Sequence, residues 1–154
     1  MRWVKALLLL SALAFAQGLK VEPESHDFGE VWLGRTSDPI TVKVKNETGK
    51  KIVFGTVTVS GKHAPEFVVF NDECSYRIMD PGAECTLQVA FHPLIPSRQE
   101  VEKAKEKAKD RVISLSREAR LVIPYGVFPS IEATERKTIE LKGTLKARLK
   151  EEKK

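Results

Sequence analysis

Ser25, His26 and Asp27 stand next to one another and are the three residue types of a hydrolytic triad. In such a triad the serine attacks the substrate, the histidine takes the serine proton and the aspartate orients the histidine, so the three side chains must converge. Consecutive side chains of an extended strand instead alternate between its two faces. The spacing therefore predicts a β-strand at residues 25–27 and not a catalytic set.

Histidine and cysteine are also the side chains that hold zinc, usually as closely spaced pairs of ligands. A zinc site is the alternative chemistry, but His26, His63 and His92 form no such pair with one another or with Cys74 or Cys85. The glycines are scattered at predicted turns and form no phosphate-binding loop. We therefore expect no catalytic residue, no metal ion and no cofactor.

The first residues have the three parts of a secretory signal peptide. Arg2 and Lys5 give a basic start, an apolar run follows at residues 6–13, and a small-x-small cleavage site ends at Ala16. The apolar run is much shorter than the about 20 residues that a helix needs to span a bilayer. We predict a signal helix at residues 1–16 and an exported chain, periplasmic or extracellular, with no membrane span after cleavage.

The charge of the remaining chain is small. The whole sequence has 26 basic and 21 acidic residues, and removal of Arg2 and Lys5 leaves 26 − 2 = 24 basic residues, a net charge of about +3. Lysine and glutamate are interleaved, as at residues 101–111, which is typical of a solvated surface rather than of a stripe that follows phosphates. We therefore expect no nucleic-acid partner.

Cys74 and Cys85 flank a segment whose Asp80, Pro81 and Gly82 are strong turn formers, so the intervening chain should fold back on itself. An even number of cysteines in an exported chain favours a disulfide. A cross-link that closes a loop of this size contributes roughly 3 kcal/mol in the chain-entropy model. The alternative is a redox or nucleophilic pair, although such pairs usually have C-x-x-C spacing.

Short segments in which apolar and polar residues alternate recur after the signal peptide, and this period of two indicates half-buried strands. Turn residues separate them, and many short strands with turns between them indicate a β-sandwich. In the strand that contains Cys85, the cysteine shares its face with Leu87, Val89 and Phe91, which favours a buried structural thiol. The predicted strands are at residues 40–45, 56–60, 66–70, 85–92, 119–123 and 138–142.

One segment lacks this alternation. Ser97 is a suitable helix cap, no glycine or proline follows until after Leu115, and apolar residues recur at spacings of three and four. These features predict a helix from Ser97 to about Leu115 that is inserted between two strands, within an insertion at about residues 97–118. It should pack on the sandwich or, alternatively, reach out to a partner. The apolar positions are Val101, Ala104, Ala108, Val112 and Leu115.

A series of residues in chain order carries a likeness to a known family. They are Phe28, Gly29, Val31, Gly34, Asn46, Ser60, Gly61, Phe67, Cys74, Pro81, Gly82, Cys85, Phe91, Pro93, Leu141, Gly143 and Thr144. The pattern resembles the ASH (abnormal spindle, hydin) family of immunoglobulin-like domains, and its bacterial choice-of-anchor D type is most similar. The likeness covers most of the chain after residue 16.

This resemblance implies an all-β, immunoglobulin-like antiparallel β-sandwich of seven to eight strands at residues 17–147, with Cys74 paired to Cys85. Members of the family usually have a short turn where this chain has the helical insertion at residues 97–118. Residues 148–154 form a charged tail with no specific function implied.

Together these features predict a non-enzymatic, exported module that binds another protein or assembles into a cell-envelope structure. Addition of a strand to an exposed sheet edge is the expected binding mode. The alternative is a carbohydrate- or envelope-polymer-binding module, for which Trp32, Tyr76 and Tyr125 are the candidate binding residues. That alternative requires the three aromatic side chains to lie on one face.

Overall fold

The computed structural model describes residues 18–150. The predicted signal peptide and residues 151–154 of the predicted tail lie outside the described residues. Among residues 18–150, no helix has the length and apolar character needed to cross a bilayer. The elements are β1 (Leu19–Glu22), β2 (Ser25–Trp32), β3 (Ile40–Asn46), β4 (Ile52–Phe54), β5 (Thr58–Ser60), a 3₁₀ turn (Ala64–Glu66), β6 (Phe67–Phe70), β7 (Ile78–Met79), β8 (Glu84–Phe91), α1 (Arg98–Lys105), β9 (Val112–Val127) and β10 (Glu135–Arg148).

The strands form two sheets that pack face to face, which confirms the predicted all-β sandwich with one inserted helix. One sheet has the order β1-β3-β8-β6, and the other has the order β2-β10-β9-β4-β7, with β5 also paired to β9. The described strands number ten rather than the seven to eight that the resemblance implies, and they include very short strands such as β4 and β7, of three and two residues. The sandwich is not wholly antiparallel, since β2 and β10 run parallel.

The core lies between the two sheets. On β8 the residues Cys85, Leu87, Val89 and Phe91 are all buried, as their alternation predicts. The ring of Phe91 stacks on Phe67, with 5.0 Å between ring centroids. The opposite sheet contributes fully buried side chains from β9 and β10, among them Leu121, Ile123, Ile139 and Leu141.

Ser25, His26 and Asp27 begin β2, as predicted. Their exposure alternates, with Ser25 and Asp27 exposed and His26 partly buried. Asp27 Oδ1 accepts a hydrogen bond from the Gly29 amide at 2.8 Å, and the His26 ring packs edge-on against Phe28 with 4.6 Å between centroids. Asp27 and His26 therefore each have a local structural partner.

The helix is shorter than predicted. Ser97 caps α1 as expected, through reciprocal bonds with Glu100, but the helix ends at Lys105. The prediction of helix as far as residue 115, within an insertion to 118, is wrong because the chain enters β9 at Val112. After the helix has ended, Asp110 and Arg111 take positive φ angles in the turn that leads into β9, and β9 then pairs with β10 from Val112 to Tyr125. This tertiary pairing outweighs the three-and-four spacing of the apolar residues.

Cys74 and Cys85 form the predicted disulfide, with 5.4 Å between their Cα atoms. Both residues are buried in the core, and the bond joins the loop before β7 to the first half of β8. The strand alternation that placed Cys85 on the apolar face is confirmed.

Replacement of both Cys74 and Cys85 by alanine should lower the free energy of unfolding by roughly 3 kcal/mol, because the disulfide closes a loop between residues 11 positions apart. Urea titrations followed by circular dichroism would measure the difference. Dithiothreitol should destabilise the wild type by a similar amount and leave the double variant unchanged. A loss below about 1 kcal/mol would contradict this expectation.

Gly143 lies where β10 passes closest to the Phe91 ring. A Cβ atom at this position would lie 2.5 Å from two carbon atoms of that ring, and the ring is fully buried. The pairing of β10 with β2 also shifts register between Lys142 and Thr144. The glycine is therefore required for close packing of the two sheets.

The variant Gly143→Ala should lose about 1 to 3 kcal/mol of unfolding free energy through overpacking against Phe91. In a Phe91→Leu background, which makes room for the added methyl group, the same substitution should cost much less. A double-mutant cycle from denaturant unfolding tests this coupling. Equal costs in the two backgrounds would show that the Phe91 ring is not the cause.

Candidate functional site

Arg117 is a buried arginine on β9, and only 3% of the residue is exposed. The alternation of β9 turns its side chain to the same face as the buried Ala119. Its Nε lies 3.0 Å from Oε2 of Glu66, and its Nη1 lies 2.7 Å from Oε2 of Glu100. One guanidinium group is thus held by two carboxylates that come from different elements.

Glu66 is the buried carboxylate of this cluster. It ends the 3₁₀ turn before β6, and its Oε1 accepts a hydrogen bond from the Leu94 amide at 2.9 Å. Its carbonyl oxygen also accepts a bond from the His92 amide at 2.7 Å. A buried charge is tolerated where it has both a charged partner and hydrogen-bond donors, and Glu66 has both.

Glu100 has two roles at the start of α1. Its Oε1 accepts the Ser97 amide at 3.0 Å in the capping box, while Oε2 binds Arg117. The hydrogen bond from Arg117 and then that from the Ser97 backbone lower the pKa of Glu100 to about 2. Since α1 has no buried side chain, this carboxylate is the polar anchor that attaches the helix to β9.

His63 completes the cluster and lies beside the guanidinium group. Its Nδ1 accepts the Glu118 amide at 3.0 Å, and its Nε2 lies 3.3 Å from Arg117 Nη1. A protonated ring would place an N–H group against each of these donors. Burial and then the charge of Arg117 lower the pKa of His63, so the neutral ring is favoured. The charged groups that face it are Arg117, Glu66, Lys62 and Glu100.

The His63 contact also defines a free edge on β9. The His63 amide donates to the Glu118 carbonyl at 3.0 Å, so both main-chain groups of Glu118 face away from β10. Main-chain groups alternate sides along a strand, and therefore those of Ser116 and Ser114 face the same way. At the far end, Val112 and Lys109 exchange backbone hydrogen bonds.

The bonds between His63 and Glu118 close one end of this edge, and those between Lys109 and Val112 close the other. Between these two ends, the main-chain N–H and C=O groups of Ser114 and Ser116 face a groove of about 690 Å³. The groove is lined by β9 between Val112 and Arg117, by α1 and the turn after it, and by Lys62 and His63. We call it the β9 groove. Its volume is within the range of ligand sites. The lysines that line it are Lys62, Lys103, Lys107, Lys109 and Lys146.

The three predicted aromatic binding residues do not come together. Trp32 ends β2 opposite Lys146 of β10, which pairs with Ser114 of β9. Tyr125 is 125 − 114 = 11 residues further along β9, a distance of roughly 35 Å along the strand. Tyr76 lies at the Tyr125 end, where its amide donates to the Gly55 carbonyl.

The environments of these aromatic residues also differ. Tyr76 is 71% exposed and its hydroxyl bonds to Thr56, whereas Trp32 is 43% exposed with the Arg148 guanidinium 5.7 Å from its ring. Tyr125 is partly buried, and burial followed by the charge of Glu135 raises its pKa.

The histidines likewise have separate partners. His92 Nδ1 lies 2.7 Å from the hydroxyl of Thr36, while His26 packs on Phe28 and His63 contacts Arg117. Over the part of the chain that the structure describes, no group of three or more histidine, cysteine, aspartate or glutamate side chains could hold a metal ion.

No family model and no curated protein matches the chain. Among solved structures it resembles WR4, an MSP family member of C. elegans, at 16% identity and a TM-score of 0.48, over 84% of this chain and 98% of that one. It also resembles SSP-19, an MSP-domain protein like family member of Caenorhabditis elegans, at 13% identity and a TM-score of 0.49, over 80% and 97%.

A third similar structure is the ASH / PapD-like domain of human CEP192, at 9% identity and a TM-score of 0.47, over 90% of this chain and 89% of that one. All three TM-scores are below 0.5, so the assignment of the sandwich rests on its own strand pairing. The structure defines a β-sandwich with a basic groove along an open strand edge.

The lowered pKa values of His63 and Glu100 predict that acid weakens the fold. As the pH falls through 6.5, the unfolded chain binds a proton at His63 before the folded chain does, so the free energy of unfolding decreases. The Glu100 contribution is present above its ordinary value of 4.5 and is lost as the pH falls towards about 2. Urea unfolding between about pH 8 and pH 5.5 isolates the histidine effect.

In this range His63→Gln should show a smaller loss of stability than the wild type, because glutamine can accept the Glu118 amide without titrating. The matched control is His26→Gln, which removes a histidine outside the cluster. If His63→Gln shows the full wild-type slope, His63 is not the group responsible.

Proposed function

We propose that this protein is an exported, non-enzymatic β-sandwich that binds another protein, or a protein assembly of the cell envelope, by adding a strand to β9. The observation that carries the proposal is the free edge at Ser114 and Ser116, whose main-chain groups face the β9 groove. Unpaired strand edges template the pairing of another extended chain. The groove gives such a chain access to this edge.

The charged cluster supports a structural role more than a catalytic one. Arg117 is bonded to both Glu66 and Glu100, and the remaining acceptor atoms take bonds from backbone amides. Groups that satisfy one another in this way hold α1 beside β9 and keep the groove open. The binding surface in this proposal is the strand edge and not the cluster.

Export is part of the proposal. Residues 1–16 would be a signal peptide cleaved after Ala16, residues 17–147 one ASH-like domain of the choice-of-anchor D type, and residues 148–154 a charged tail. The disulfide between Cys74 and Cys85 supports a periplasmic or extracellular location, because disulfides persist in oxidising compartments. The polymer-binding alternative loses its main support, because Trp32 lies far from the two tyrosines along the sheet.

Blocking the free edge should abolish partner capture. The Ser116 N–H faces the groove, so Ser116→Pro removes this donor without removing a hydrogen bond to β10, and proline is tolerated on such edges. The wild-type chain and the control Ser116→Ala should capture the same protein from native cell envelope after mild cross-linking, and Ser116→Pro should not.

Circular dichroism and thermal unfolding would verify that the proline variant keeps its fold. If the folded Ser116→Pro variant captures as much partner as the wild type, β9 edge pairing is not the binding mode. If the wild type captures no protein, the protein-binding role itself is contradicted.

A further inference from the structure

We propose that the β9 groove binds an acidic extended segment of a partner protein. This inference rests on the proposed strand addition at Ser114 and Ser116 and adds the chemical class of the strand that pairs there. It follows from the charges around the groove, from the length of the open edge and from the groups that the edge presents.

Most of the lysines around the groove have no carboxylate partner within the part of the chain that the structure describes. Within residues 18–150, Lys62, Lys103, Lys107 and Lys109 make no salt bridge. The fifth, Lys146, lies 3.6 Å from Glu30 and donates to the Ser114 hydroxyl at 3.1 Å.

The acidic residues of the groove do not balance these lysines. Glu100 and Glu106 are the two acidic residues that line it, and Glu100 is bound to Arg117. Arg117 with Glu66 and Glu100 has a net charge of 1 − 2 = −1, so this cluster and Glu106 together offset only two of the five lysines. The surface that an incoming strand meets is therefore positively charged, and an acidic strand is complementary to it.

The open edge has a defined length. Val112 and Glu118 close its two ends and are six residues apart, which corresponds to about 20 Å of strand. A partner segment of about six residues fits this span and could form up to four main-chain hydrogen bonds, with the N–H and C=O groups of Ser114 and Ser116.

The position of the lysines suits side chains that alternate along an added strand. Lys103 lies on α1 and Lys107 just after its end, both on the groove, while Lys62 lies at the Glu118 end of the edge. In an extended segment every second side chain points to the same face. Acidic residues at alternate positions would therefore face the α1 side of the groove together.

A polypeptide fits the edge better than a nucleic acid does. The edge offers main-chain donors and acceptors at strand spacing, which another extended polypeptide can match residue by residue. A phosphate backbone could use the lysines but has no N–H group to donate to the carbonyl groups of Ser114 and Ser116. Dependence of binding on the strand edge therefore separates the two ligand classes.

Fluorescence anisotropy with the purified chain provides the test. The probes are three fluorescein-labelled hexapeptides in which valine alternates with glutamate, with glutamine or with lysine. At low ionic strength the glutamate peptide should bind at least about tenfold more tightly than the glutamine peptide, and the lysine peptide should bind least. Added salt should weaken the binding of the glutamate peptide.

Two charge-reversal variants separate a local effect from a change in net charge. The double variant Lys103→Glu and Lys107→Glu should weaken binding of the glutamate peptide by about tenfold or more. The matched control, Lys43→Glu with Lys50→Glu, makes the same change at exposed positions of β3 and the loop after it, and should change binding by less than about twofold.

Amide hydrogen exchange identifies the bonding mode. The glutamate peptide should slow exchange at the Ser114 and Ser116 amides, and Ser116→Pro should remove its binding. If the glutamate peptide does not bind, or if the glutamine peptide binds equally well, the acidic ligand is overturned. The acidic ligand is also overturned if the groove double variant and the control double variant weaken peptide binding equally.

Different results would contradict the acidic ligand and the strand addition. If Ser116→Pro still abolishes partner capture while acidity has no effect, strand addition stands and only the ligand class is wrong. A poly-deoxythymidine oligonucleotide that binds through Lys103 and Lys107 and is insensitive to Ser116→Pro would identify a phosphate site and overturn the acidic segment. Self-association lost in Ser116→Pro would assign the edge to a second copy of the chain.

Discussion

The ion pair of Arg117 with Glu66 and Glu100 is the interaction on which this end of the sandwich depends. It joins β9 to the 3₁₀ turn before β6, to the segment after β8 and to the start of α1. Removal of the guanidinium group would leave Glu66 buried without its charged partner, which is far more costly than the loss of a surface pair. The position of α1, and with it one wall of the β9 groove, follows from this contact.

Much of the sandwich could be predicted from the sequence because its strands alternate clearly. In β8 the burial of Cys85, Leu87, Val89 and Phe91 follows the period of two. The end of α1 could not be predicted in this way, because Val112 and Leu115 fit the spacing of a helix while Ile113 and Leu115 fit the period of two of a strand. Pairing with β10, which no local pattern reveals, decides between the two.

The candidate site was harder to predict because its groups meet only in the folded chain. Arg117 is 51 residues from Glu66, and the two share no local motif. One signal was present, since Arg117 occupies the phase of β9 on which Ala119, Leu121 and Ile123 are buried. A charged residue on the apolar phase of a strand indicates a buried partner without identifying it. The free edge depends on which neighbouring strands end early, and this is a property of the topology.

The closures at Lys109 and at His63 give the open edge a second property. Sheets with long unpaired edges can stack strand upon strand without limit, which is the route to fibrous aggregates. Here the exposed part of β9 is bounded at both ends by bonds within the same chain. The open edge therefore has a fixed length. A short segment can pair with it, but a long, flat strand finds no continuous edge along which chains could polymerise.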